Sequence, residues 1–150
     1  MRRAAATDGR SCPSRRRVSR SKLPTPTVET AGRLHTLATA RVLLAHADAA
    51  EQKAVVATMG FEPAGPNAIT DRKAFLRQLA LTRKRGYALC LDESSEGCAA
   101  MAVPARDSQG AVVAALGIAV PRVRFAKRRR AQLLAELGST VRGIAAVWRC

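Results

Sequence analysis

The sequence predicts an α+β fold in which an antiparallel sheet is flanked by helices. Three observations predict it. Between Gly86 and Pro121, three short apolar runs are separated by two polar turns, which is typical of an antiparallel meander. The segments before and after the meander carry helix caps and apolar side chains at helical spacing. Hydrophobic residues make up 47% of the chain, which is enough for a core, although aromatics are only 3%.

The predicted strands span residues 86–91, 98–104 and 111–120. Ala-rich runs of this length can also be buried helix, but the turn residues between them favour strands. The first turn, DESSEG, is polar throughout. The second turn contains Asp107 and Gly110 at positions that a β-turn prefers.

Two helices are predicted at the start of this region. Residues 32–47 place apolar side chains near one face, and Arg41 falls on that same face. His35 lies in this segment, and we interpret it as a capping or packing residue. Asp48 followed by Glu51 resembles a capping box and predicts a helix over residues 48–59.

Two further helices are predicted around the strands. The first spans residues 71–85, with Thr70 as its N-cap and Gly86 as its end. The other follows the basic stretch at residues 122–130. It is indicated by one apolar stripe, formed by Leu134, Leu137, Val141, Ile144 and Trp148.

The charge of +15 indicates an acidic partner but says nothing of the fold. Residues 1–27 are rich in Arg, Ser and Pro and are predicted to be a disordered basic leader, leaving 28–150 as the folded domain. Such a leader can neutralise nucleic-acid phosphates. It has no aromatic side chain on which bases could stack, so a solvated segment is the favoured interpretation.

The sequence predicts a cytoplasmic protein with no membrane partner. The leader lacks the apolar region of a signal peptide. No apolar run is long enough to cross a bilayer. The four cysteines show no metal-binding or redox spacing, which favours a reduced compartment.

No catalytic, metal or cofactor site is predicted. The only histidines, His35 and His46, would lie about 16 Å apart on one helix, too far to share a metal or a proton. Asp92, Glu93 and Glu96 are interpreted as turn residues that cap backbone amides, because no nucleophile or base accompanies them. The sequence therefore predicts a protein that is not an enzyme.

Several short motifs follow one another along the chain in a specific order. They are Gly86-Tyr87-Ala88, Asp92-Glu93, Gly97, Ala99 to Pro104, Asp107 with Gly110, and Val112 to Leu116 with Pro121 and Arg124. Upstream stand Leu34 to Ala45, Ile69-Thr70-Asp71 and Arg83 to Tyr87. In this order the motifs resemble the effector-binding domain of IclR-type bacterial transcriptional regulators, over roughly residues 28–148.

The resemblance implies a GAF-like sheet and a pocket for a small-molecule effector. The implied contacts are Ala38, Thr39, Cys90, Ala100, Gly117 and Ala119. In several family members the last four positions carry Asp, Cys, Ser and Ser, which hold a small carboxylate or hydroxylated ligand. Those hydrogen-bonding groups are largely absent here, so we expect an effector more apolar than a small hydroxy acid, or no effector.

The resemblance also implies parts that this sequence does not contain. Family members begin with a winged helix-turn-helix and further strands of the sheet. We therefore expect a truncated regulator whose sheet is incomplete at its N-terminal side and which alone lacks sequence-specific DNA binding. The expected partners are a second copy of the chain or full-length relatives. The alternatives are a basic nucleic-acid-binding protein and a non-functional gene remnant.

Overall fold

The computed structural model describes residues 33–147. It contains four helices, namely α1 (Ala38–His46), α2 (Ala49–Thr58), α3 (Arg72–Arg85) and α4 (Lys127–Val147). Three strands, β1 (Ala88–Leu91), β2 (Cys98–Arg106) and β3 (Val112–Pro121), lie between α3 and α4. The predicted α+β class is confirmed. The predictions for the leader, Cys12, Trp148 and Cys150 concern positions outside the described residues.

The predicted helix over residues 32–47 is in fact broken at Leu37. A short 3-10 turn covers Leu34–Thr36, and Leu37 is extended before α1 begins. The Thr36 hydroxyl donates to the Arg33 carbonyl at 2.8 Å, a local bond of the kind that competes with helix continuation. The break separates His35 from α1.

The ends of α2 and α3 are set by capping residues. Asp48 is the N-cap of α2 and accepts from the backbone N–H of Glu51 at 2.7 Å, as predicted. The N-cap of α3 is Asp71, which accepts from Ala74 N–H at 2.7 Å, so the prediction of Thr70 was wrong by one residue. Gly86 ends α3 with a left-handed φ of 80°, a conformation that glycine adopts without strain.

The strands form an antiparallel meander in the order β1-β2-β3. Asp92 makes the first turn, where its Oδ1 accepts from Gly97 N–H at 2.9 Å. Asp107 makes the second turn, and its Oδ1 accepts from the N–H groups of Gln109 and Ala111. The predicted meander is confirmed: the boundaries at Leu91 and Cys98 are as predicted, and the other four are shifted by one or two residues.

The two faces of this sheet differ in side-chain size. Residues paired directly across antiparallel strands share a face. One set of pairs forms what we call the large-residue face: Leu89, Leu91, Ala99, Met101, Val103, Ala105, Ala114, Leu116, Ile118 and Val120. The other set forms the small-residue face: Ala88, Cys90, Ala100, Ala102, Pro104, Ala115, Gly117 and Ala119.

Helices cover the two faces differently. α4 packs Leu133, Leu137 and Val141 onto the large-residue face, together with Phe125. α1 packs Ala38 and Val42 onto the small-residue face. The opposite side of α1 buries Leu44 and Ala45 in a second cluster with side chains from α2 and α3. The order of layers is therefore α4, sheet, α1, and then α2 with α3.

Candidate functional site

The six residues predicted from the family resemblance meet at the small-residue face. Cys90, Ala100 and Ala119 form one row across the three strands, because Cys90 pairs with Ala100 and Ala100 pairs with Ala119. Gly117 stands in the neighbouring row, opposite Ala102. Ala38 and Thr39 begin α1, which lies against this face.

Accessibility rises across the sheet from β1 to β3. Ala38 of α1 and Cys90 of β1 are only 5% and 3% exposed, since α1 packs against this part of the sheet. Thr39 and Ala100 are half-buried, whereas Gly117 and Ala119 are exposed. A cavity of about 360 Å³ adjoins Ala119 and is otherwise lined by residues 95–98, Val120 and Pro121. The surface available to a ligand is therefore the β3 side of the face.

Gly117 allows α1 to approach β3 closely. A Cβ atom at this position would lie 2.8 Å from Thr39 Cγ2 and 3.2 Å from the Met101 carbonyl oxygen. These distances are shorter than van der Waals contact, so a side chain here would push the start of α1 away from the sheet. Gly117 therefore sets the spacing of the two layers between which Thr39 lies.

The small-residue face carries little polarity. Among the six predicted positions, the only polar side-chain groups are the Thr39 hydroxyl and the Cys90 thiol. Burial raises the pKa of the Cys90 thiol to about 12, so the group is neutral at physiological pH and behaves as a small apolar side chain. A ligand that rests on this face meets apolar surface and one hydroxyl.

A buried ion pair anchors α1 beside the site. The Arg41 guanidinium binds both carboxylate oxygens of Glu93, at 3.1 and 2.5 Å, and these residues are 1% and 8% exposed. Arg41 also donates to the carbonyls of Leu89 and His35, at 3.2 and 2.8 Å. The pair joins α1, two residues after Thr39, to the segment that follows β1.

The interpretation of Glu93 as a turn cap was therefore wrong, whereas Asp92 does cap the turn. Sequence reasoning missed the pair because its two members are separated by 52 positions. One signal was present: Arg41 falls on the apolar side of its helix, and an arginine there needs a buried carboxylate.

His35 is a fully buried packing residue, as predicted. Its Nε2 lies 3.0 Å from the Glu62 carbonyl oxygen, and its ring lies 5.4 Å from that of Phe61. Within the described residues Nδ1 has no hydrogen-bond partner. Desolvation lowers the pKa of His35, and the Arg41 charge adds to this effect. The neutral ring, with its proton on Nε2, therefore suits this position.

The remaining candidates do not assemble into a reactive centre. Among residues 33–147, no three His, Cys, Asp or Glu side chains come together in a way that could hold a metal ion. Within that range there is also no helix long and apolar enough to cross a membrane. The exposed stretch at residues 122–130 has two ion pairs, Arg122 with Asp92 and Arg129 with Glu136. Nucleic-acid binding through this stretch remains the alternative to effector binding, not the predicted function.

Fold and site together define a helix-covered antiparallel sheet domain whose candidate site is a binding face. Residues 27–146 match the family described as "Bacterial transcriptional regulator IclR C-terminal". The chain belongs to this family, and the predicted resemblance is confirmed.

Individual relatives agree with this assignment. The regulator KdgR of Dickeya chrysanthemi is 34% identical over 74% of this chain, and the chain spans only 36% of that protein. The C-terminal domain of Escherichia coli KdgR superimposes with a TM-score of 0.70 at 34% identity, covering 75% of this chain and 69% of that one. The inducer-binding domain of Acinetobacter PobR, solved with 3-hydroxybenzoic acid, gives 0.68 at 30% identity, with coverages of 75% and 66%.

These relatives are transcriptional regulators, which confirms the prediction that the chain is not an enzyme. The chain is thus an effector-binding domain of the IclR type.

Proposed function

We propose that the chain senses a small, weakly polar molecule held against the β3 side of the small-residue face. Thr39, Ala100, Gly117 and Ala119 contact the effector, while Ala38 and Cys90 lie beneath it. The observation that carries the proposal is the convergence of six positions that are far apart in sequence: four lie on one sheet face, and the other two form the start of α1 against it.

The polarity of the face supports an effector more apolar than a small hydroxy acid. The Cys90 thiol is neutral, and Arg41 is already paired with Glu93. A carboxylate buried against this face would find no free cation among the neighbouring described residues, and an unpaired buried charge is costly. The effector therefore presents an apolar body, such as an aromatic ring, to the sheet, and keeps any charged group at the solvent side near Ala119.

The start of α1 is the element that responds to the effector. It contacts the sheet through Ala38 and Thr39, and the Arg41–Glu93 pair anchors it two residues after Thr39. A ligand that binds beside Thr39 stabilises one position of the first turn of α1 relative to the others. Any conformational switch requires such a difference in ligand affinity between its states. In a working regulator, a second copy or a full-length relative transmits this change to winged-helix segments outside residues 33–147.

The test measures ligand binding by the full chain using calorimetry. The ligands are 3-hydroxybenzoate, which is the compound bound to PobR, and the uncharged compounds phenol and benzyl alcohol. Ala119→Leu places a bulky side chain on the exposed end of the face. We expect this substitution to weaken binding of the preferred ligand at least tenfold.

The control is Val113→Leu, also on exposed β3 but roughly 20 Å away along the strand. We expect it to leave the affinity unchanged. Equal affinities for the wild type and the Ala119→Leu variant would contradict the proposed site. Tighter binding of 3-hydroxybenzoate than of both uncharged compounds, if Ala119→Leu weakens it, would contradict the proposed ligand class.

A further inference from the structure

A second cavity lies at a different place from the effector face. It measures about 380 Å³ and is formed where the end of α3, the strand β2 and the second half of α4 meet. We call it the arginine groove. It is lined by Arg85, Gly86, Tyr87, Val103, Pro104, Arg106, Leu134, Gly138, Val141, Arg142 and Ala145. None of these is among the six effector positions.

The groove has three cationic side chains, Arg85, Arg106 and Arg142, and no carboxylate among its lining residues. Their hydrogen bonds leave most of the guanidinium donors free within residues 33–147. Arg106 donates through Nη1 to the Gly110 carbonyl at 2.9 Å, and Arg85 donates through Nε to the Tyr87 carbonyl at 2.6 Å. The Arg85 Nη2 is buried and has no partner there. A buried donor without an acceptor is costly, and an anion would supply one.

Burial also acts on the charge of Arg85. Desolvation lowers the pKa of this guanidinium, which means that its charged form is less stable here than in water. Arg106 and Arg142 bring two further positive charges to the lining of the groove. An anionic group among the three side chains would stabilise the charged form of Arg85 and accept a hydrogen bond from its Nη2.

The floor of the groove is apolar. Val103, Leu134 and Val141 belong to the core beneath it, and the Tyr87 ring lies 4.8 Å below the Arg85 guanidinium carbon. Such a floor accepts a hydrocarbon or aromatic body. The volume falls within the usual range for small-molecule sites, toward its smaller end.

Gly138 keeps the groove open. It interrupts the apolar stripe of α4, where glycine costs roughly 1 kcal/mol relative to alanine. A Cβ at Gly138 would meet only Arg142 Nη1, at 3.5 Å. A larger side chain at Gly138 would therefore displace the Arg142 guanidinium and extend into the groove.

We propose that the arginine groove binds a small amphipathic carboxylate, with its carboxylate among Arg85, Arg106 and Arg142 and its apolar body on Tyr87, Leu134 and Val141. This site is separate from the effector face. It complements that face chemically, because the face has no free cation among its described neighbours while the groove has three.

The test uses the full chain and the fluorescent probe 1-naphthoate, with 1-naphthalenemethanol as its uncharged counterpart. We expect saturable binding of one naphthoate per chain, and the alcohol should displace it only at concentrations at least tenfold higher. Arg142→Gln and Arg106→Gln each remove a charge-assisted hydrogen bond, so each should raise the Kd for naphthoate on the order of tenfold. Gly138→Leu should abolish binding by filling the groove.

Matched variants on the same helix separate the groove from general effects of charge and helix stability. Arg128→Gln removes an equal charge from an exposed position, and Gly143→Leu adds an equal side chain where a Cβ meets nothing within 4 Å. Both should bind naphthoate as the wild type does, and so should Ala119→Leu at the effector face. Displacement of naphthoate by an equal concentration of the alcohol, or equal losses in Arg128→Gln and Arg142→Gln, would overturn the proposal. Unchanged binding by Gly138→Leu would do the same.

Discussion

The two faces of the central sheet are built from the same three strands and hold their helices by different means. On the large-residue face, side chains such as Met101 and Val103 interlock with Leu133 and Leu137 of α4. Burying a side chain of this size contributes about 1.5–3 kcal/mol, so shape and area suffice to hold α4. The small-residue face offers mainly alanine, and each buried methyl contributes much less. Its helix is held by close approach and by one buried ion pair.

This difference explains where a binding face can form. Where Leu, Ile and Met of the sheet meet Leu133 and Leu137 of α4, the side chains fill the layer, and the space beside this helix lies at its edge, in the arginine groove. A face of alanine and glycine lets α1 lie close to the sheet on the β1 side and leaves the β3 side exposed. Few contacts then hold α1 to the sheet itself, since Leu44 and Ala45 pack against α2 and α3, and a ligand that adds a contact to the sheet side can shift it.

Removing the buried ion pair should have the largest effect on this arrangement. Glu93→Gln leaves Arg41, which is 1% exposed, without its countercharge. Breaking a buried pair in this way typically costs about 3–5 kcal/mol of unfolding free energy. Urea denaturation of the full chain measures the loss. Glu136→Gln, at the exposed pair with Arg129, is the control and should cost less than about 1 kcal/mol.

These variants also test whether the Arg41–Glu93 pair stabilises the fold or only positions α1. If Glu93→Gln and Glu136→Gln lower the unfolding free energy equally, α1 is held by its apolar contacts alone and the contrast between the faces is lost. If the double variant Arg41→Met, Glu93→Met recovers most of the stability, the pair positions α1 without adding net stability, as buried pairs often do.

Overpacking the close approach at Gly117 should have an intermediate effect. Gly117→Ala brings a methyl group to 2.8 Å from Thr39 Cγ2, which should cost about 1–3 kcal/mol. Thr39→Ser deletes that Cγ2 atom, so the double variant should recover part of the loss. Unfolding midpoints in urea for the two single variants and the double variant give the coupling between the positions.

Gly143→Ala is the matched glycine control, because a Cβ there meets nothing within 4 Å. On α4 this substitution should stabilise the protein by up to about 1 kcal/mol through helix propensity. Additive effects of Gly117→Ala and Thr39→Ser would show that α1 does not rest on Gly117.

The smallest expected effect is a pH dependence that originates at His35. Its folded-state pKa lies below the ordinary value of 6.5, so between these two values the unfolded chain binds more protons than the folded one. Stability is therefore complete above about pH 6.5 and falls as the pH drops toward the folded pKa, by at most about 1.4 kcal/mol per pH unit.

Urea midpoints of the full chain at pH 7.0 and 5.5 measure this slope. The slope should vanish in His35→Gln and persist in His46→Gln, in which the other described histidine is replaced. A slope that survives in His35→Gln would mean that the ring does not titrate in this window, and that its burial leaves no mark on stability.

Much of the fold follows from local sequence signals. The meander is visible because Asp92, Gly97, Asp107 and Gly110 punctuate three apolar runs, and turn chemistry acts over a few residues. Asp48 and Gly86 mark helix ends for the same reason. The boundary errors are also local, since Thr70 and Asp71 are both good caps and the choice between them depends on the contacts of the whole helix.

The sequence by itself determined the α+β class, the three-stranded meander and the family, because these depend on short motifs and their order. The resemblance to that family predicted the six candidate positions. Only the tertiary structure decided which face each strand residue joins, the pairing of Arg41 with Glu93, and the contact of Thr39 with Gly117. It alone brought Arg85, Arg106 and Arg142 to one groove. These features join residues tens of positions apart. They are determined by strand register and helix packing, which no local pattern encodes.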